Sequence, residues 1–421
     1  MRQKRKELLI AVRWPILAVT AALLMWRIVA VNLADYFVQD NSPEGAATAL
    51  KWYPGHPQAL FLLGAWNTAE KYGPAHVGRE LKAAVQANLA DGRNYAALAR
   101  HEEAQNDLPA AKLAMNLATR MSPQRTDVQS EAATFWMRQG NIAEALQHWN
   151  VVLTFDRGAR AKLFPGLLLL AENPAALPAF APLLQQHTVW WPEFLAYAAT
   201  NAQQLATVRA LFSLQTVEST VPSTTALRTY LARLQRQGEW TEALFTWLNS
   251  LDKEQINNVG NLFNGGFEYP ISNVGFDWIS APAGQVLVET ASTYGSTGNR
   301  ALHVLFRGPR VAYRHLYQYT LLTPGRYSMH GRVRPESLET ERGVQWGIYC
   351  LDKGTETPLA ASARFVGTDQ WHHFAFQFNI PAAGCPAQVV RLELAGRVAL
   401  EFEAKGGIWF DDLAVDRQSL D

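Results

Sequence analysis

The sequence has few cysteines and no excess of charge of either sign. Two cysteines in 421 residues are too few for a disulfide-rich scaffold or a cysteine-rich zinc site. The 38 Lys and Arg residues nearly balance the 37 Asp and Glu residues, and no basic stripe with interleaved aromatics follows the N-terminus. Nucleic-acid binding is therefore not expected. The length requires two or three folded units rather than a single core.

The common catalytic signatures are also missing. The sequence contains no G-x-S-x-G, H-E-x-x-H or G-x-x-x-x-G-K motif. His372 and His373 are adjacent on a predicted strand and so point to opposite faces, and Asp411 and Asp412 diverge in the same way. The histidines cannot chelate one ion together, and the aspartates do not form a glycosidase pair. A glycosidase pair of one aspartate with a carboxylate from elsewhere in the chain is the alternative that stays open. We predict that the protein is not an enzyme.

A long apolar run at residues 8–37 is interrupted by two arginines, Arg13 and Arg27. Its charge-free part, residues 14–26, is shorter than the ~20 residues that span a bilayer. Extension to Val31 gives enough length if the stem of Arg27 reaches an interface. We predict one transmembrane helix within residues 1–40. A buried core helix is a poor alternative because residues 14–26 have no polar face.

The charges that flank this run predict its orientation. Acidic residues follow it before the first later lysine, and a basic cluster precedes it, which consists of Arg2, Lys4, Arg5 and Lys6. The basic side should stay in the cytoplasm, which places the bulk of the chain in the periplasm of a bacterium, anchored in the inner membrane. A cleaved signal peptide is the alternative, but residues 29–32 read Val-Ala-Val-Asn and offer no small-residue cleavage site.

Residues 41–255 show the apolar periodicity of helices and an internal repeat. Residues 94–123 align with residues 129–157 at an offset of 34, which places Ala111 on Ala145 and Asn106 on Gly140. A period of 34 with small residues at helix-packing points resembles the tetratricopeptide repeat. The resemblance implies an α-solenoid that binds protein partners. Within this region Trp190 and Trp191 are either an exposed interaction patch or filler between irregular repeats, and we favour filler.

Residues 256–421 change to short alternating strands separated by Gly and Pro. Apolar residues alternate in about eight segments, which predicts an antiparallel β-sandwich. The sequences "NLFNGGFE", "FDW", "LTPGRYSMHGRVR", "GTDQWHHFAFQFNIP" and "GIWFDDLAV", in this order, resemble jelly-roll carbohydrate-binding modules of the galactose-binding-like group. The expected fold class is therefore multidomain α + β: a transmembrane helix, an α-solenoid and a jelly roll.

The resemblance also implies a structural calcium ion near the edge of the sandwich. Glu268 and Asp412 match the carboxylates that hold it in such modules, with Asp411 as the alternative. Alternation places Asp412 on the inward side with Ile408 and Phe410, where an unpaired carboxylate would be costly. The other interpretation is that Asp412 caps backbone N–H groups without a metal.

A sugar site needs flat aromatic faces and planar polar side chains on the outer face of the sandwich. Alternation predicts that face for Arg332, Arg334, Gln345 and Tyr349, while the orientation of Tyr317 and Tyr319 is not settled by the sequence. The carbohydrate-binding candidates are Arg332, Arg334, Gln345, Tyr349, Tyr317 and Tyr319. The tryptophans Trp278, Trp346 and Trp371 are expected to fill the core.

Cys350 and Cys385 both lie in the β domain and outside the cytoplasm if the anchor prediction is right. Oxidising conditions then favour a disulfide, and two separate buried thiols are the alternative. Together, these features resemble envelope proteins that accompany bacterial polysaccharide assembly or export. The resemblance implies a scaffold that binds a protein partner through its repeats and a glycan through its jelly roll. A purely protein-binding scaffold and, less favoured, a membrane-tethered glycan hydrolase are the alternatives.

Overall fold

The computed structural model describes residues 2–65, 74–184, 188–216, 223–308 and 310–418. Backbone contacts divide the chain into two compact units, Met1–Trp190 and Trp191–Asp421. The first unit is helical. Its helices are α1 (Arg2–Phe37), α2 (Pro43–Trp52), α3 (Pro57–Ala65), α4 (Pro74–Ala87), α5 (Gly92–Ala104), α6 (Leu108–Met121), α7 (Thr126–Arg138), α8 (Ile142–Phe155), α9 (Arg157–Ala171) and α10 (Ala181–Leu184).

Helix α1 is apolar and largely unpacked. Its segment Arg13–Phe37 has a mean hydropathy of 2.0 with 6% of its most apolar window buried, and it is the one helix of the described residues that is long and apolar enough to cross a membrane. Trp14 and Trp26 are 72% and 61% exposed, so the alternative of a buried core helix is wrong for this part. The helix has the properties of a membrane anchor or a signal sequence. The side chains of the basic cluster lie outside the described part.

The end of α1 packs onto the helices that follow it. Ala34 is fully buried in a small core with Ala46 of α2 and Ala59 of α3. The imidazole Nε2 of His56 lies 2.9 Å from Oδ1 of Asp35, which fixes the last turns of α1 to the turn before α3. The apolar helix therefore continues directly into the helical unit.

Helices α5 to α8 reproduce the predicted period. α5 and α7 begin at Gly92 and Thr126, and α6 and α8 begin at Leu108 and Ile142, so both pairs are 34 residues apart. The aligned residues Ala111 and Ala145 are both fully buried. Asn106 and Gly140 have φ values of 63° and 72°, a left-handed turn that ends one helix before the next. The assignment to the tetratricopeptide family stays a prediction.

Trp190 and Trp191 are 1% and 2% exposed. The interpretation as filler is confirmed, and an exposed tryptophan patch at these positions is excluded.

The second unit begins with helices and continues, in its described residues, into ten strands. The helices are α11 (Trp191–Asn201), α12 (Leu205–Thr216), α13 (Thr224–Arg236), α14 (Trp240–Leu248) and α15 (Lys253–Asn257). The strands are β1 (Ile279–Ser280), β2 (Val286–Ala291), β3 (Ala301–Arg307), β4 (Leu316–Thr320), β5 (Gly325–Thr340), β6 (Val344–Asp352), β7 (Thr355–Ala361), β8 (His372–Ile380), β9 (Ala387–Leu394) and β10 (Ala404–Arg417).

The strands form two five-stranded antiparallel sheets. The first sheet has the order β1-β4-β9-β6-β7, and the second has the order β2-β3-β10-β5-β8. Residues at alternating positions of the strands fill the space between the sheets, and Trp278 and Trp346 are fully buried there. The predicted multidomain α + β class with an antiparallel β-sandwich is confirmed.

The helical hairpin α13–α14 packs directly against the loop 272–276 of the sandwich. The ring of Trp247 contacts Phe263 and Phe276, with centroid distances of 5.1 and 5.7 Å. Gly275 has a φ of 64°, and a Cβ atom there would collide with Trp247. Arg228 Nε donates a hydrogen bond of 3.0 Å to the carbonyl oxygen of Asn273. The predicted boundary at residues 255 and 256 stays a prediction, while these helices share one compact unit with the strands.

Candidate functional site

The outer face of the first sheet carries polar and aromatic side chains on three adjacent strands. Tyr317 of β4 lies opposite Arg391 of β9, and Gln345 of β6 lies opposite Glu393 of β9. Val389 pairs with Tyr319 on one side and with Tyr349 on the other. The three strands thus bring together four of the six sequence-predicted candidates, Gln345, Tyr349, Tyr317 and Tyr319.

Arg391 and Glu393 of β9 form a polar layer on this face, next to the ring of Tyr349. The guanidinium of Arg391 lies 4.2 Å from the centroid of the Tyr349 ring, and its Nη1 donates to Glu356 Oε2 at 2.8 Å. Its Nε donates to Glu393 Oε2 at 3.3 Å. Glu393 Oε1 accepts from the Tyr349 hydroxyl and, at 3.1 Å, from Gln345 Nε2. A nearly buried charge network therefore orients Tyr349 and Gln345.

The position of the Tyr349 ring depends on Gly347. A Cβ atom at residue 347 would meet the ring of Tyr349 and the carboxylate of Glu393. The ring can therefore lie across the strand surface because the residue two positions earlier has no side chain. Burial, followed by the hydrogen bond to Glu393, raises the pKa of Tyr349 to about 12, so the hydroxyl stays protonated and donates near neutral pH.

A cleft of about 940 Å³ lies between this face and the helical hairpin α13–α14. Tyr317 and Tyr319 line it from the sheet, and Trp240, the first residue of α14, lines it from the hairpin. The Trp240 and Tyr319 ring centroids are 5.4 Å apart, and those of Tyr319 and Tyr317 are 5.3 Å apart. Three rings thus form a continuous aromatic strip from the helix onto the sheet.

The full lining of the cleft comes from helix α13, the turn that follows it, the loop before β1, and one end of the first sheet. The residues are Arg228, Leu231, Ala232, Gln235, Arg236, Gln237, Gly238, Trp240, Asn273, Gly275, Ile279, Tyr317, Tyr319, Leu351, Asp352, Lys353, Gly354, Glu356 and Pro386. Tyr349 and Gln345 lie on the same sheet face but not in this lining.

The prediction that Arg332 and Arg334 share a face with Gln345 and Tyr349 is wrong. Both arginines lie on β5, which pairs with β8 and β10 in the second sheet. β6 pairs with β7 and β9 in the first sheet. Alternation predicts which residues of a strand point outward, but it does not say to which sheet of a sandwich the strand belongs. The two arginines and the other four candidates therefore lie on opposite outer faces.

The arginines of the second sheet hold the loop 292–300. Their guanidinium carbons lie 5.1 Å (Arg332) and 5.4 Å (Arg334) from the Trp371 ring centroid. Arg332 donates to the carbonyl oxygen of Gly295 at 2.7 Å, and Arg334 donates to the hydroxyl of Thr293 at 2.7 Å. Trp371 is thus part of this outer stack, which contradicts its predicted place in the core.

The proposed calcium ligands contact one short segment of the same loop. Glu268 Oε1 accepts hydrogen bonds from the backbone N–H groups of Asn299 and Arg300, at 2.9 and 3.1 Å. Asp411 Oδ2 accepts from the N–H of Thr297 at 2.7 Å, and Asp412 Oδ2 accepts from the Thr297 hydroxyl at 2.7 Å. In the described part of the chain, no group of three or more His, Cys, Asp or Glu side chains is arranged to hold a metal ion.

The expected inward position of Asp412 is not observed. A β-bulge between Asp411 and Ala414 shifts the register of β10, and Asp412 has a φ of 52°. Leu413 takes the core position, and the side chain of Asp412 is 40% exposed. Asp411 is the fully buried carboxylate instead. Its burial raises its pKa to about 6, against the effect of the Thr297 N–H.

Cys350 and Cys385 form a disulfide, as predicted. Their Cα atoms are 5.2 Å apart, within the usual range for a bridge. The bridge joins β6 to the residue two positions before β9. The neighbouring residues Leu351 and Pro386 line the cleft, so the disulfide cross-links the sheet wall of the cleft.

Comparisons with known proteins show likenesses to carbohydrate-binding modules. No protein-family model matches the chain, and no curated protein matches it. A CBM4 structure is 18% identical, covering 37% of this chain and 99% of its own, with a TM-score of 0.29. A family 16 carbohydrate-binding module is 15% identical (38% and 100% covered, TM-score 0.28). The module TmCBM61, in complex with β-1,4-galactotriose, is 20% identical (38% and 100% covered, TM-score 0.25).

The predicted site residues include neither the polar layer nor the helical wall of the cleft. Arg391 and Glu393 alternate with Val390 and Leu392 in β9, so their outward direction was available from the pattern. The role of Trp240 could not be predicted from such a pattern, because Trp240 precedes the sandwich in the chain and only tertiary packing brings it to Tyr319.

Proposed function

We propose that the protein is a membrane-anchored periplasmic adaptor that binds a glycan in the cleft of its second unit. In this proposal its helical repeats, of tetratricopeptide type, bind a protein partner in polysaccharide assembly or export. The observation that carries the glycan half is the cleft itself. It is lined by an aromatic strip of three rings and by Gln and Arg side chains of the hairpin, and it adjoins the sheet face on which Gln345 and Tyr349 are oriented.

The chemistry of the cleft suits a sugar. The faces of aromatic rings pack against the C–H surfaces of a pyranose, while planar amide, carboxylate and guanidinium groups bind its hydroxyls. Tyr317 and Tyr319 supply ring surface, and Glu356 supplies a carboxylate in the same cleft. The aromatic strip and the polar side chains of this cleft favour glycan binding over the alternative of a purely protein-binding scaffold.

The proposal assigns no catalysis to the cleft. Glycoside hydrolysis needs one carboxyl group that donates a proton and another that acts as base or nucleophile. Glu356 of the cleft lining and Glu393 of the adjoining sheet face both accept hydrogen bonds from Arg391. Side chains engaged in one ionic network support positioning rather than acid–base chemistry.

The periplasmic location and the inner-membrane anchor remain part of the proposal. The apolar segment Arg13–Phe37 of α1 and the basic cluster before it support an uncleaved anchor with a cytoplasmic N-terminus. The disulfide supports an oxidising compartment for the sandwich, because such bridges are rare in the cytosol.

Substitution of Tyr319 tests glycan binding. The full chain in detergent is first tested against a panel of bacterial exopolysaccharides to find its best ligand. We expect Tyr319→Ala to weaken binding of this ligand by at least about tenfold, or ~1.4 kcal/mol. The reason is the loss of the central ring of the aromatic strip. Affinity gel electrophoresis selects the ligand, and titration calorimetry measures the change.

The matched control is Tyr294→Ala, which removes a tyrosine ring that is 92% exposed in the loop of the second sheet. It should bind as the unmodified chain does. Equal losses in both variants would contradict a site on the first sheet, and a folded chain that binds no polysaccharide of the panel would refute the glycan half of the proposal.

The buried Asp411 predicts an unusual pH dependence of stability. The raised pKa, about 6 against an ordinary 3.8, means that the folded protein binds this proton more tightly than the unfolded chain. Protonation therefore stabilises the fold below pH ~4, and this contribution is lost as the pH rises to ~6. A shift of this size corresponds to about 3 kcal/mol at most. Urea unfolding between pH 4 and 7 in EDTA measures the effect.

Asp411→Ala is the control, since it should remove the part of the pH dependence in this window that Asp411 contributes. The same titration with Ca²⁺ tests the calcium prediction. An ion held by Glu268, Asp411 and Asp412 would favour ionised carboxylates and raise stability at pH 7 with the logarithm of its concentration above the Kd. Unfolding midpoints that are identical in Ca²⁺ and EDTA at pH 7 would remove calcium from the proposal.

A further inference from the structure

We infer that the helical hairpin α13–α14 is a ligand-binding wall of the cleft and selects carboxylate-bearing sugars. This inference rests on the proposed glycan binding and goes beyond it, because it assigns recognition to helical residues and names the class of ligand. Its residues are Trp240, Arg236 and Arg228 on the hairpin and Lys353 on the facing turn of the sheet.

The hairpin is held firmly enough to act as a wall. Trp247 of α14 packs edge-on against Phe263, and Gly275 allows the loop of the sandwich to approach α14 closely. Arg228 Nε and Gln235 Nε2 donate hydrogen bonds to the carbonyl oxygens of Asn273 and Gly275, at 3.0 and 3.4 Å. The wall and the sheet therefore keep a defined separation without a ligand.

The wall presents an aromatic ring to the cleft. Trp240 is half-buried and tilted by 59° relative to the ring of Tyr319. The two rings form a corner rather than a parallel stack, and both line the cleft. A sugar in this corner would contact the sheet with one side and the helical wall with another. Glycan contact is therefore shared between the two walls.

The charged groups of the cleft favour an anion. The helical wall contributes Arg228 and Arg236 and no acidic residue to the lining. Arg236 donates through Nε to the carbonyl oxygen of Ala232 in its own helix, and neither it nor Lys353 pairs with a carboxylate among the described residues. Of the two acidic residues of the lining, Glu356 is paired with Arg391 at 2.8 Å.

The other charged groups of the lining are three cations, Arg228, Arg236 and Lys353, and one carboxylate, that of Asp352. Charges of one sign in a cleft with low-dielectric walls concentrate ligands of the opposite sign. Guanidinium groups also bind carboxylates with two parallel hydrogen bonds. A uronic acid, with one carboxylate on each ring, combines the apolar ring surface and the charge that this cleft recognises.

The experiment compares acidic polymers with their neutral counterparts. The full chain in detergent is run through native gels containing alginate, polygalacturonate or β-1,4-glucuronan, and through gels with the carboxyl-reduced form of each polymer. Retardation by an acidic polymer, and at least about tenfold weaker retardation by its reduced form, is the expected result. Arg236→Gln should lose about tenfold toward the acidic polymer and change little toward the reduced one.

Two matched controls separate the wall from general effects. Arg326→Gln removes an exposed arginine of β5 in the second sheet, and Phe245→Ala removes an exposed ring of α14 that is absent from the lining. Trp240→Ala should weaken binding of both polymer forms, whereas Phe245→Ala should not. Arg236→Gln keeps the test valid if Trp240→Ala fails to fold.

The outcomes are distinguishable. Equal binding of acidic and reduced polymers would overturn the assignment to acidic sugars while glycan binding stands. Unchanged affinity in both Arg236→Gln and Trp240→Ala would overturn the helical wall. A folded chain that binds none of these polymers or the panel of exopolysaccharides would defeat the proposed function, and this inference with it.

Discussion

Gly265→Ala is expected to destabilise the sandwich by about 3 kcal/mol or more. A Cβ atom at residue 265 would overlap the main-chain carbonyl of Leu413 in β10. The backbone there cannot withdraw easily, because β10 pairs with β5 on each side of the bulge that contains Leu413, at Asp411 and at Ala414. The carbonyl oxygen of Gly265 also accepts a hydrogen bond of 3.0 Å from the N–H of Leu413. Chemical denaturation of the full chain, followed by tryptophan fluorescence, measures the loss.

The adjacent glycine provides the control. A Cβ atom at Gly266 would meet no heavy atom within 4 Å, so Gly266→Ala should change the free energy of unfolding by no more than about 0.5 kcal/mol. The two variants differ by one position and have the same composition. Equal midpoints for both would show that the close approach of residue 265 to β10 does not stabilise the sandwich.

This contact explains why the β domain opens with "NGGFE". The segment has no strand of its own and lies against the bulge of β10, where only a residue without a side chain fits. Asn264 and Phe267 have φ values of 51° and 56°, so the segment is a tight turn rather than a strand. The pattern of residue types was visible in the sequence, and its reason was not.

Periodicity predicted the parts of the fold that depend on local geometry. Leu302, Val304 and Phe306 alternate in β3, and all three point into the core. The offset of 34 residues placed Asn106 on Gly140, and both take the same left-handed conformation. Such features depend on neighbours in sequence, and a single chain contains the information for them.

The arrangement of the site depended on tertiary structure that no local pattern contains. Arg332 and Gln345 both point outward from strands that follow each other in the sequence, β5 and β6. The chain crosses from one sheet to the other after β5, so the two residues lie on opposite faces. The bulge at Asp411 reversed the expected orientation of Asp412, because one extra residue changes the phase of every later position in the strand. Trp240 reaches the cleft only through the packing of α14 on the loop 272–276.

Removal of the disulfide is the second change with a large expected effect. Cys350→Ala combined with Cys385→Ala should lower the free energy of unfolding by about 4 kcal/mol. The reason is that a bridge across a separation of 35 residues restricts the unfolded chain. Both cysteines are nearly buried, so the shorter side chains also leave space in the core. Because residues next to both cysteines line the cleft, glycan affinity should fall together with stability.

Reduction of the unmodified chain separates the bridge from the cavities. A phosphine reductant should lower its unfolding midpoint most of the way to that of the double variant, whose own midpoint should not respond. A thiol assay on denatured protein isolated without reductant from bacterial membranes adds the topological result. Two reactive thiols per chain would mean that the sandwich matured in a reducing compartment, which would contradict both the stabilising bridge and a periplasmic sandwich. If no thiol reacts, the bridge is already formed in the protein as isolated. This is the result expected of a sandwich that folds in the periplasm.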